Sequence, residues 1–468
     1  MAIDSELNRR DFLKAGVRSG AGLSTLGGIA FLTHPERVLG ANDRVRVAVV
    51  GVRGRGFGHV QGYAKQPNAE VAVLCDVDEN VLRERLADME KMGMPKPKTC
   101  VDYHQVLDDK SIDAVSIATP NHWHSLMGIW ACQAGKDVYV EKPCSHNLWE
   151  GRQLVRAARK YNRVVMHGTQ GRSAGGYREG IKQMREGLIG DVYMARGLCF
   201  KWRDTIGHKP VEPVPPGVHY DLWTGPAPLK PFTRNRFHYN WHWIWDTGNG
   251  DIGNQGVHEM DIARWGLGVG LPHKVSAIGG HFMFDDDQET PNTLTASFEF
   301  NQGDGKRKML VFEVRHWMTN TEAGIGMPGF GAGAAAIPSA AGQAAHKQPK
   351  GMVGDLFYGS KGYVAMSGYD TYRSWLGEEQ EPGPTATRGE NAFANFVECV
   401  RRRTPENVNA PIEEAHVSCA LIHLANASYR LGRTIHFDPE SELVIGDDEA
   451  NQLLRGSYRA PFVVPEKV

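Results

Sequence analysis

Val45-Arg-Val-Ala-Val-Val50, continued directly by Gly51-Val-Arg-Gly54-Arg-Gly56, is the stretch of sequence that decides the fold. The β-branched run is too short for an independent helix and predicts a strand, and the residues after the glycines predict a helix through Tyr63. Glycines are required at such a turn because the chain bends sharply and its N–H groups must approach a pyrophosphate at the positive end of a helix dipole. The stretch therefore predicts the strand, turn and helix that open a dinucleotide-binding domain.

An acidic residue follows where such a domain holds the ribose of its cofactor. The apolar run Val71–Cys75 predicts a second strand. It ends in Asp76, about 20 residues or a little more after the glycine turn, where a carboxylate can accept from both ribose hydroxyls. Asp78 adds negative charge that disfavours a 2′-phosphate. The pattern favours NAD over NADP, and the alternative interpretation of Asp76 is a polar turn residue at a strand end.

Strands and helices alternate through the rest of this region. A third strand, Asp113–Ala118, leads into Thr119-Pro-Asn-His-Trp-His124, where proline ends the strand and begins a loop over the cofactor. A fourth strand, Lys136–Val140, delivers Glu141-Lys142-Pro143 at its end. A helix over 148–161 and a strand over 163–167 are predicted next. This alternation predicts an α/β domain with a parallel, doubly wound sheet over residues 41–170.

A second α/β domain is predicted over residues 171–440, with a C-terminal tail over 441–468. Period-two alternation in Thr293–Phe300 and Lys308–Val314 predicts a hairpin, which suits an antiparallel sheet. Further predicted features are a helix over 177–190, a strand over 191–200, a long loop over 205–231, a flexible insertion over 321–350, and two closing helices over 391–402 and 412–431 that pack onto the first domain.

Taken in order, these motifs resemble the Gfo/Idh/MocA family, which is named for glucose–fructose oxidoreductase, inositol 2-dehydrogenase and the rhizopine catabolism protein MocA. The motifs that carry the resemblance are the glycine turn at 51–56, Asp76, Thr119-Pro-Asn121 with His124, Glu141-Lys-Pro143, and Gly256-Val-His258-Glu-Met-Asp261. The resemblance covers about the whole mature chain. It implies a Rossmann domain followed by an α/β domain with an open, mainly antiparallel sheet.

The glycine turn, the resemblance and the strand ends together give the predicted cofactor site. Its residues are Gly51, Arg53, Gly54, Arg55, Gly56, Asp76, Thr119, Pro120, Asn121, His124, Glu141 and Lys142. One departure is that Arg53 stands at the second glycine of the usual G-x-G-x-x-G spacing, with Gly54 next to it. Backbone approach to the pyrophosphate is therefore arranged differently, and Arg53 or Arg55 is a candidate phosphate ligand.

Three residues are predicted to carry catalysis: Lys142, His258 and Asn254. Oxidation of a secondary alcohol requires a base within hydrogen-bond reach of the hydroxyl proton, and histidine titrates near working pH. Lys142 is the second candidate, because partial desolvation beside a cationic nicotinamide lowers the proton affinity of an ammonium. The alternatives are a surface salt bridge between Lys142 and Glu141 and a structural role for His258. The family commonly has aspartate where this chain has Asn254, and an amide cannot take a proton.

An aromatic segment, residues 232–246, is the predicted substrate-binding loop. Aromatic faces stack on sugar C–H surfaces, so Trp241 and His242 are predicted to bind substrate together with Lys142, Asn254 and His258. Packing in a core or a dimer interface is the alternative for each tryptophan. No metal site is predicted, because two histidine pairs, His122 with His124 and His238 with His242, come without further ligands at metal-site spacing.

Residues 1–40 are predicted to be a twin-arginine signal peptide. Asn8-Arg9-Arg10-Asp11-Phe12 precedes a glycine-rich, moderately apolar stretch and a small-residue cleavage site before Ala41. The stretch is too polar for a stable membrane anchor. The expected partner is the Tat export machinery, which carries folded proteins, and the expected location is periplasmic or extracytoplasmic. No free nicotinamide pool is expected there, so the cofactor should remain bound.

Composition agrees with a globular enzyme of two domains. The 468 residues are 41% hydrophobic and 23% charged. The net charge of −1 provides no excess of positive charge to bind nucleic acid or an anionic membrane. The seven cysteines form no C-x-x-C pair and are predicted to be reduced thiols. An open sheet of this kind predicts a homo-oligomer.

The sequence therefore predicts an exported NAD-containing oxidoreductase that acts on a hydroxyl of a sugar, sugar derivative or polyol. An alternative is a redox-assisted glycoside hydrolase or lyase of the same superfamily, whose members usually lack the Glu-Lys-Pro tripeptide. A third hypothesis is a catalytically inactive sugar-binding protein.

Overall fold

A computed structural model describes residues 44–318, 322–325, 351–389 and 391–468. The predicted signal peptide, residues 1–40, lies outside the described residues, and so does all of the predicted insertion at 321–350 except 322–325. In the described part of the chain, no helix is both long and apolar enough to cross a membrane.

The first sheet is parallel throughout and confirms the predicted doubly wound domain. Its strands are β1 (Val45–Val50), β2 (Ala69–Cys75), β3 (Lys98–Cys100), β4 (Ala114–Ile117), β5 (Asp137–Val140) and β6 (Val165–His167), in the order β3-β2-β1-β4-β5-β6. The accompanying helices are α1 (Arg55–Ala64), α2 (Glu79–Lys91), α3 (Tyr103–Asp108), α4 (Asn121–Gln133) and α5 (Leu148–Lys160). Strands β4 and β5 are buried at every position, because helices cover both faces of such a sheet.

The second sheet has ten strands and is mainly antiparallel. They are β7 (Val192–Lys201), β8 (Lys274–Gly280), β9 (Thr293–Asn301), β10 (Arg307–Arg315), β11 (Gly351–Gly359), β12 (Gly362–Ser367), β13 (Thr371–Leu376), β14 (Glu381–Thr387), β15 (Ile435–Asp438) and β16 (Leu443–Val444), in the order β14-β13-β12-β11-β7-β10-β9-β8-β15-β16. The pair β7 and β10 is parallel. The predicted hairpin is confirmed, with Lys308 opposite Phe300.

The helices of the second half are α6 (Gly175–Arg185), α7 (Tyr220–Thr224), α8 (Gly250–Asn254), α9 (Gly256–Leu267), α10 (Ala392–Arg402), α11 (Ile412–Leu431) and α12 (Asp448–Arg455). Helix α9 packs on β7, β10 and β11, where alternate strand residues such as Phe312 are fully buried. The two closing helices behave as predicted, since α10 contacts α1 and β1 while α11 contacts α5.

Two expectations about irregular segments need correction. The predicted loop over 205–231 contains the short helix α7, because Tyr220 and Trp223 pack into an aromatic cluster that fixes the backbone there. Residues 441–468, predicted as a tail, contain β16 and α12 and bury Phe462 and Val464. Burial of these apolar side chains orders the segment. They show no helical or strand period in the sequence, so the sequence pattern does not predict their burial.

Candidate active site

A cavity of about 320 Å³ opens at the carboxyl ends of β1, β2, β4 and β5, where α/β sheets bind their ligands. The predicted cofactor residues that line it are Gly51, Arg53, Gly54, Arg55, Asp76, Thr119, Pro120, Asn121, His124, Glu141 and Lys142. Asn254, Trp241 and His242 line the same cavity from the second half of the chain. Gly56 and His258 are not among the described residues that line it.

The glycine turn is shaped so that a side chain would obstruct it at two positions. Gly51 has φ of +79°, and a Cβ there would lie 2.8 Å from the carbonyl oxygen of Ala118. A Cβ on Gly56 would lie 1.9 Å from the carbonyl oxygen of Gly51, whereas a Cβ on Gly54 would meet nothing within 4 Å. Gly56 therefore acts by letting helix α1 approach strand β1.

Asp76 is prepared to accept hydrogen bonds at the end of β2. Its Oδ2 accepts from the backbone N–H of Val52 at 2.8 Å, and its Oδ1 accepts from that of Asp78 at 3.0 Å. Burial raises the pKa of Asp76 to about 6, so the carboxylate is mostly ionised at neutral pH. Each oxygen keeps a second lone pair. With the open glycine turn beside it, this geometry fits the ribose and pyrophosphate of a dinucleotide.

The loop after β4 is fixed by its own side chains. The side-chain amide of Asn121 donates to Oδ1 of Asn249 at 2.9 Å. Both ring nitrogens of His124 face carbonyl oxygens, that of Pro143 at 2.6 Å and that of Thr119 at 2.7 Å. Burial lowers the pKa of His124 to about 4, so a neutral ring donates to one of them at a time. His124 thus joins the loop after β4 to the end of β5.

The carboxylate of Glu141 binds the side chains of Arg55 and His59. Its Oε1 lies 2.7 Å from Nε of Arg55 and 3.0 Å from Nε2 of His59. Burial opposes ionisation of Glu141, but Arg55 and His59 outweigh burial and hold its pKa well below the usual range. The alternative interpretation of Lys142 as a surface salt bridge with Glu141 is wrong, because Oε2 of Glu141 accepts from the backbone N–H of Lys142 at 3.1 Å and the ammonium binds Asn254 instead.

Lys142 points instead toward α8. Its Nζ donates to the backbone carbonyl of Asn254 at 2.5 Å and lies 3.3 Å from Oδ1 of the same residue. Burial lowers the pKa of Lys142 to about 8, although the nearby Glu141 opposes this shift. An amine with such a pKa exchanges protons near neutral pH. Lys142 lines the cavity, so a substrate hydroxyl can reach it.

Asn254 is oriented by a buried acid that the sequence reasoning missed. The side-chain amide of Asn254 donates to Oδ1 of Asp251 at 3.0 Å, which directs Oδ1 of Asn254 toward Lys142. Asp251 is itself held by Arg203 at 2.7 Å and His316 at 2.9 Å. Burial opposes its ionisation, but Arg203 and His316 keep the pKa of Asp251 well below normal. Asp251 is thus a fixed anion that positions Asn254.

His258 is buried one turn beyond Asn254, on α9. Its Nδ1 has no hydrogen-bond partner among the described residues, and its ring meets the edge of the Tyr369 ring with centroids 5.2 Å apart. Burial, followed by the charge of Lys142, lowers the pKa of His258 well below 6.5. It is therefore a neutral imidazole close to Lys142, and its catalytic role stays a prediction.

The aromatic segment both packs and lines the cavity. Trp241 belongs to a buried cluster with Trp223, Phe232 and Phe237, so packing accounts for part of its role. The ring of His242 stacks on Trp241 with centroids 3.6 Å apart. Both residues also face the cavity beside Asn254. A flat aromatic wall at this place suits a sugar ring, and their role in substrate binding stays a prediction.

The seven cysteines are free thiols, as predicted. Two of them are close together, with the Sγ atoms of Cys144 and Cys419 at 3.7 Å, which is a thiol contact and not a bond. The ring nitrogens of His122, one of the histidines considered for a metal, face the backbone carbonyls of Thr247 and Trp223.

Two family models match the chain. The Gfo/Idh/MocA model described as "Oxidoreductase family, NAD-binding Rossmann fold" matches residues 45–169. Its companion, "Oxidoreductase family, C-terminal alpha/beta domain", matches residues 181–279 and 359–464. Together these matches cover the first sheet and every motif on which the resemblance was based, while β9, β10 and nearly all of β11 in the second sheet lie outside them.

Curated relatives with similar sequences include glycosyl hydrolase family 109 proteins. The protein from Shewanella pealeana is 30% identical over 203 residues, which is 40% of this chain and 44% of that protein. The protein from Shewanella baltica strain OS195 is 32% identical over 177 residues, which is 34% of this chain and 39% of that protein. The chain thus spans about two fifths of the length of the curated relatives that it matches.

Solved structures with a similar fold include an aldose-aldose oxidoreductase and two dehydrogenases. Aldose-aldose oxidoreductase from Caulobacter crescentus, complexed with glycerol, has a TM-score of 0.59 at 17% identity, covering 84% of this chain and 100% of that one. Levoglucosan dehydrogenase with NADH and levoglucosan has a TM-score of 0.60 at 16% identity, covering 86% and 100%. WlbA dehydrogenase from Bordetella pertussis with NADH and UDP-GlcNAcA has a TM-score of 0.58 at 19% identity, covering 84% and 99%.

Proposed function

Since this chain belongs to the Gfo/Idh/MocA family of NAD-binding oxidoreductases, we propose that it oxidises a secondary hydroxyl of a sugar, sugar derivative or polyol while its nicotinamide cofactor stays bound. One observation carries the proposal. Lys142 and Asn254 line the same cavity as the glycine turn and Asp76, so a hydroxyl beside Lys142 lies in the compartment that fits the cofactor. The sugar oxidoreductases with a similar fold support a carbohydrate substrate.

Each of these cavity residues has its own role in the proposed reaction. Asp76 would hold the ribose of NAD, and the turn at Gly51 would accept its pyrophosphate. The nicotinamide ring of a bound NAD would supply the acceptor for the hydride that leaves the carbinol carbon. Nζ of Lys142 takes the hydroxyl proton in oxidation and returns it to the carbonyl oxygen in reduction. Asn254 orients both the amine and the substrate.

The proton step gives a defined pH dependence. Because burial lowers the pKa of Lys142 to about 8, the free amine that acts as base becomes more abundant as the pH rises through about 8. We expect the single-turnover rate of sugar oxidation to rise over that range and to level off above it. Reduction of the oxidised sugar needs the ammonium and should slow over the same range. Stopped-flow measurements of oxidation and of reduction from about pH 6 to about pH 10 check both expectations. Rates of oxidation and reduction that both rise with pH would contradict the assignment of Lys142 as the base.

A direct assay tests the reaction class. The purified protein is incubated with aldoses, glycosides and polyols, and the products are analysed by mass spectrometry. We expect a product that has lost two hydrogen atoms, formed in an amount equal to the reduced cofactor.

A second candidate, an NAD-dependent glycoside hydrolase, is favoured by the similarity to glycosyl hydrolase family 109 proteins. Free glycone that appears without net cofactor reduction would identify that activity instead.

Export is part of the proposal, on the basis of Arg9-Arg10 and the stretch that follows it in residues 1–40. An exported enzyme has no nicotinamide pool with which to exchange, so turnover requires a second substrate that takes the hydride back or a cycle of oxidation and reduction on one substrate. Changing Arg9 and Arg10 to lysine should hold the protein in the cytoplasm, which cell fractionation measures. If this variant were exported as the wild type is, residues 1–40 would not act as a twin-arginine signal, and export would no longer be a reason to expect that the cofactor stays bound.

A homo-oligomer formed by the second sheet is also proposed. Ile278 on β8 and Met309 on β10 are 79% and 41% exposed, and the strand register places them on the same face. Apolar groups exposed on an open sheet favour a partner surface. Light scattering of the purified protein measures the mass in solution; a monomer at all concentrations would contradict this assembly.

A further inference from the structure

The last residues of the chain reach the cofactor cavity. Phe462 lines it together with Tyr103, Trp123 and Trp130, and only 7% of its surface is exposed. Its ring meets that of Trp123 edge to face with centroids 5.3 Å apart. In a Rossmann domain the acidic residue at the end of β2 holds the adenosine ribose. The residues that follow β3, among them Tyr103, therefore mark the adenosine end of the cavity, opposite Lys142.

The segment that carries Phe462, residues 458–468, is called here the C-terminal strap. It is fastened before Phe462 by Arg459, whose backbone N–H donates to the carbonyl of Pro226 at 2.9 Å and whose Nε donates to that of Gly225 at 2.9 Å. Nη1 of Arg459 also binds Oδ1 of Asp221 at 2.7 Å. The guanidinium lies 5.1 Å from the centroid of the Phe462 ring, so the same side chain fixes both the backbone and the aromatic ring.

The strap is fastened again after Phe462. The side-chain amide of Gln153, on α5, donates to the carbonyls of Pro465 at 3.1 Å and Glu466 at 2.9 Å. Val464 between these anchors is 2% exposed. Hydrogen bonds on both sides and two buried apolar side chains hold the strap beside the cavity. Phe462 is the strap residue whose side chain enters it.

We propose that the C-terminal strap closes the adenosine end of the cofactor cavity, with Phe462 packing on the adenine base and the strap detaching before NAD can leave. The inference rests on the proposed function, because it concerns the same bound nicotinamide cofactor. Aromatic side chains pack favourably on nucleobases, and the strap adds a mechanical barrier that the glycine turn and Asp76 do not provide. Contacts between the strap and the cofactor, all made by this chain, would thus explain why the cofactor stays bound.

Phe462→Ala tests the strap, with the neighbouring Val463→Ala as a matched control, since the Val463 side chain is 46% exposed. The protein is loaded with NADH, and dissociation is followed by the loss of its fluorescence when excess NAD is added. We expect release to be about tenfold faster or more in Phe462→Ala, from the loss of one base-stacking contact, and unchanged in Val463→Ala. The fraction of nicotinamide that co-purifies should fall in parallel.

Arg459→Ala provides a second variant, because it loosens the strap without removing the Phe462 side chain. It should also speed release, and its thermal unfolding midpoint shows whether the rest of the fold is intact. Equal release rates in folded wild type, Phe462→Ala and Arg459→Ala would overturn the strap while leaving the proposed function standing. A wild-type protein that binds no nicotinamide cofactor even when it is supplied would overturn the proposed function itself.

Discussion

Replacing Lys142 by methionine is expected to slow sugar oxidation by a factor of about 100 to 10,000, the range over which a positioned acid or base contributes to catalysis. Methionine keeps an unbranched apolar side chain but cannot take the hydroxyl proton. The neighbouring groups are poorer bases: Arg203 and His316 hold Asp251 as an anion of low pKa, Asn254 is an amide, and burial lowers the pKa of His258 well below its usual value. The rate is measured as single-turnover reduction of the bound nicotinamide.

The matched control is Lys182→Met, which removes an ammonium from the exposed face of α6, where 63% of the side chain is accessible. Its rate should equal that of the wild type. Cofactor content and thermal unfolding show whether Lys142→Met is folded and loaded. A folded, loaded Lys142→Met protein that oxidises sugar within twofold of the wild-type rate would contradict the assignment, and His258 would then become the leading candidate for the base.

Gly56→Ala is expected to remove the cofactor and to destabilise the fold by about 3 kcal/mol, at the upper end of the usual effect of overpacking. The new Cβ would lie 1.9 Å from the carbonyl oxygen of Gly51, so α1 must move away from β1. That movement carries the turn away from the position that accepts a pyrophosphate. Chemical denaturation measures the stability, and the nicotinamide content of the purified protein measures the loss of binding.

Gly58→Ala is the control for this change, because a Cβ at Gly58, on the same helix α1, would meet only the end of the Arg55 side chain, at 3.9 Å. Gly58 lies inside the helix and is not among the described residues that line the cavity. Gly58→Ala should therefore keep the stability and the cofactor. If the two variants lost cofactor equally, the tight approach of α1 to β1 would not be the reason that glycine is required at position 56.

The first domain could be predicted from local patterns because each of its parts has one. Buried parallel strands are short β-branched runs, the turn at Gly51 needs glycine, and Asp76 follows a strand at a known distance. The carboxyl ends of parallel strands meet at one edge of the sheet. For that reason Asp76, Thr119 and Lys142 could be expected to converge although they are far apart in sequence.

The support of the site could not be predicted in this way. Asp251 is bound by Arg203 and His316, which are 48 and 65 residues away along the chain. Buried ion pairs of such separation leave no periodic signal. The only cue was chemical: an asparagine at the usual aspartate position, Asn254, needs a partner for its amide, and an acid lies one helical turn before it.

The strap escaped prediction for a related reason. Residues 458–468 contain two buried apolar side chains, Phe462 and Val464, too few to give a helical or strand period. Their place is set by Arg459 and Gln153, whose partners lie on other elements. The sequence pattern consequently favoured a tail, and only the three-dimensional contacts relate Phe462 to the cofactor cavity.

The absorbance spectrum of the processed protein, purified without added cofactor and then mixed with candidate sugars, tests the central claim most directly. We predict that nicotinamide is present at the start, that a sugar substrate generates the reduced nicotinamide band, and that the reduced cofactor remains with the protein after gel filtration. In Lys142→Met the band should be generated far more slowly. A protein that carries no nicotinamide, or whose bound nicotinamide no sugar, glycoside or polyol reduces, would contradict the account.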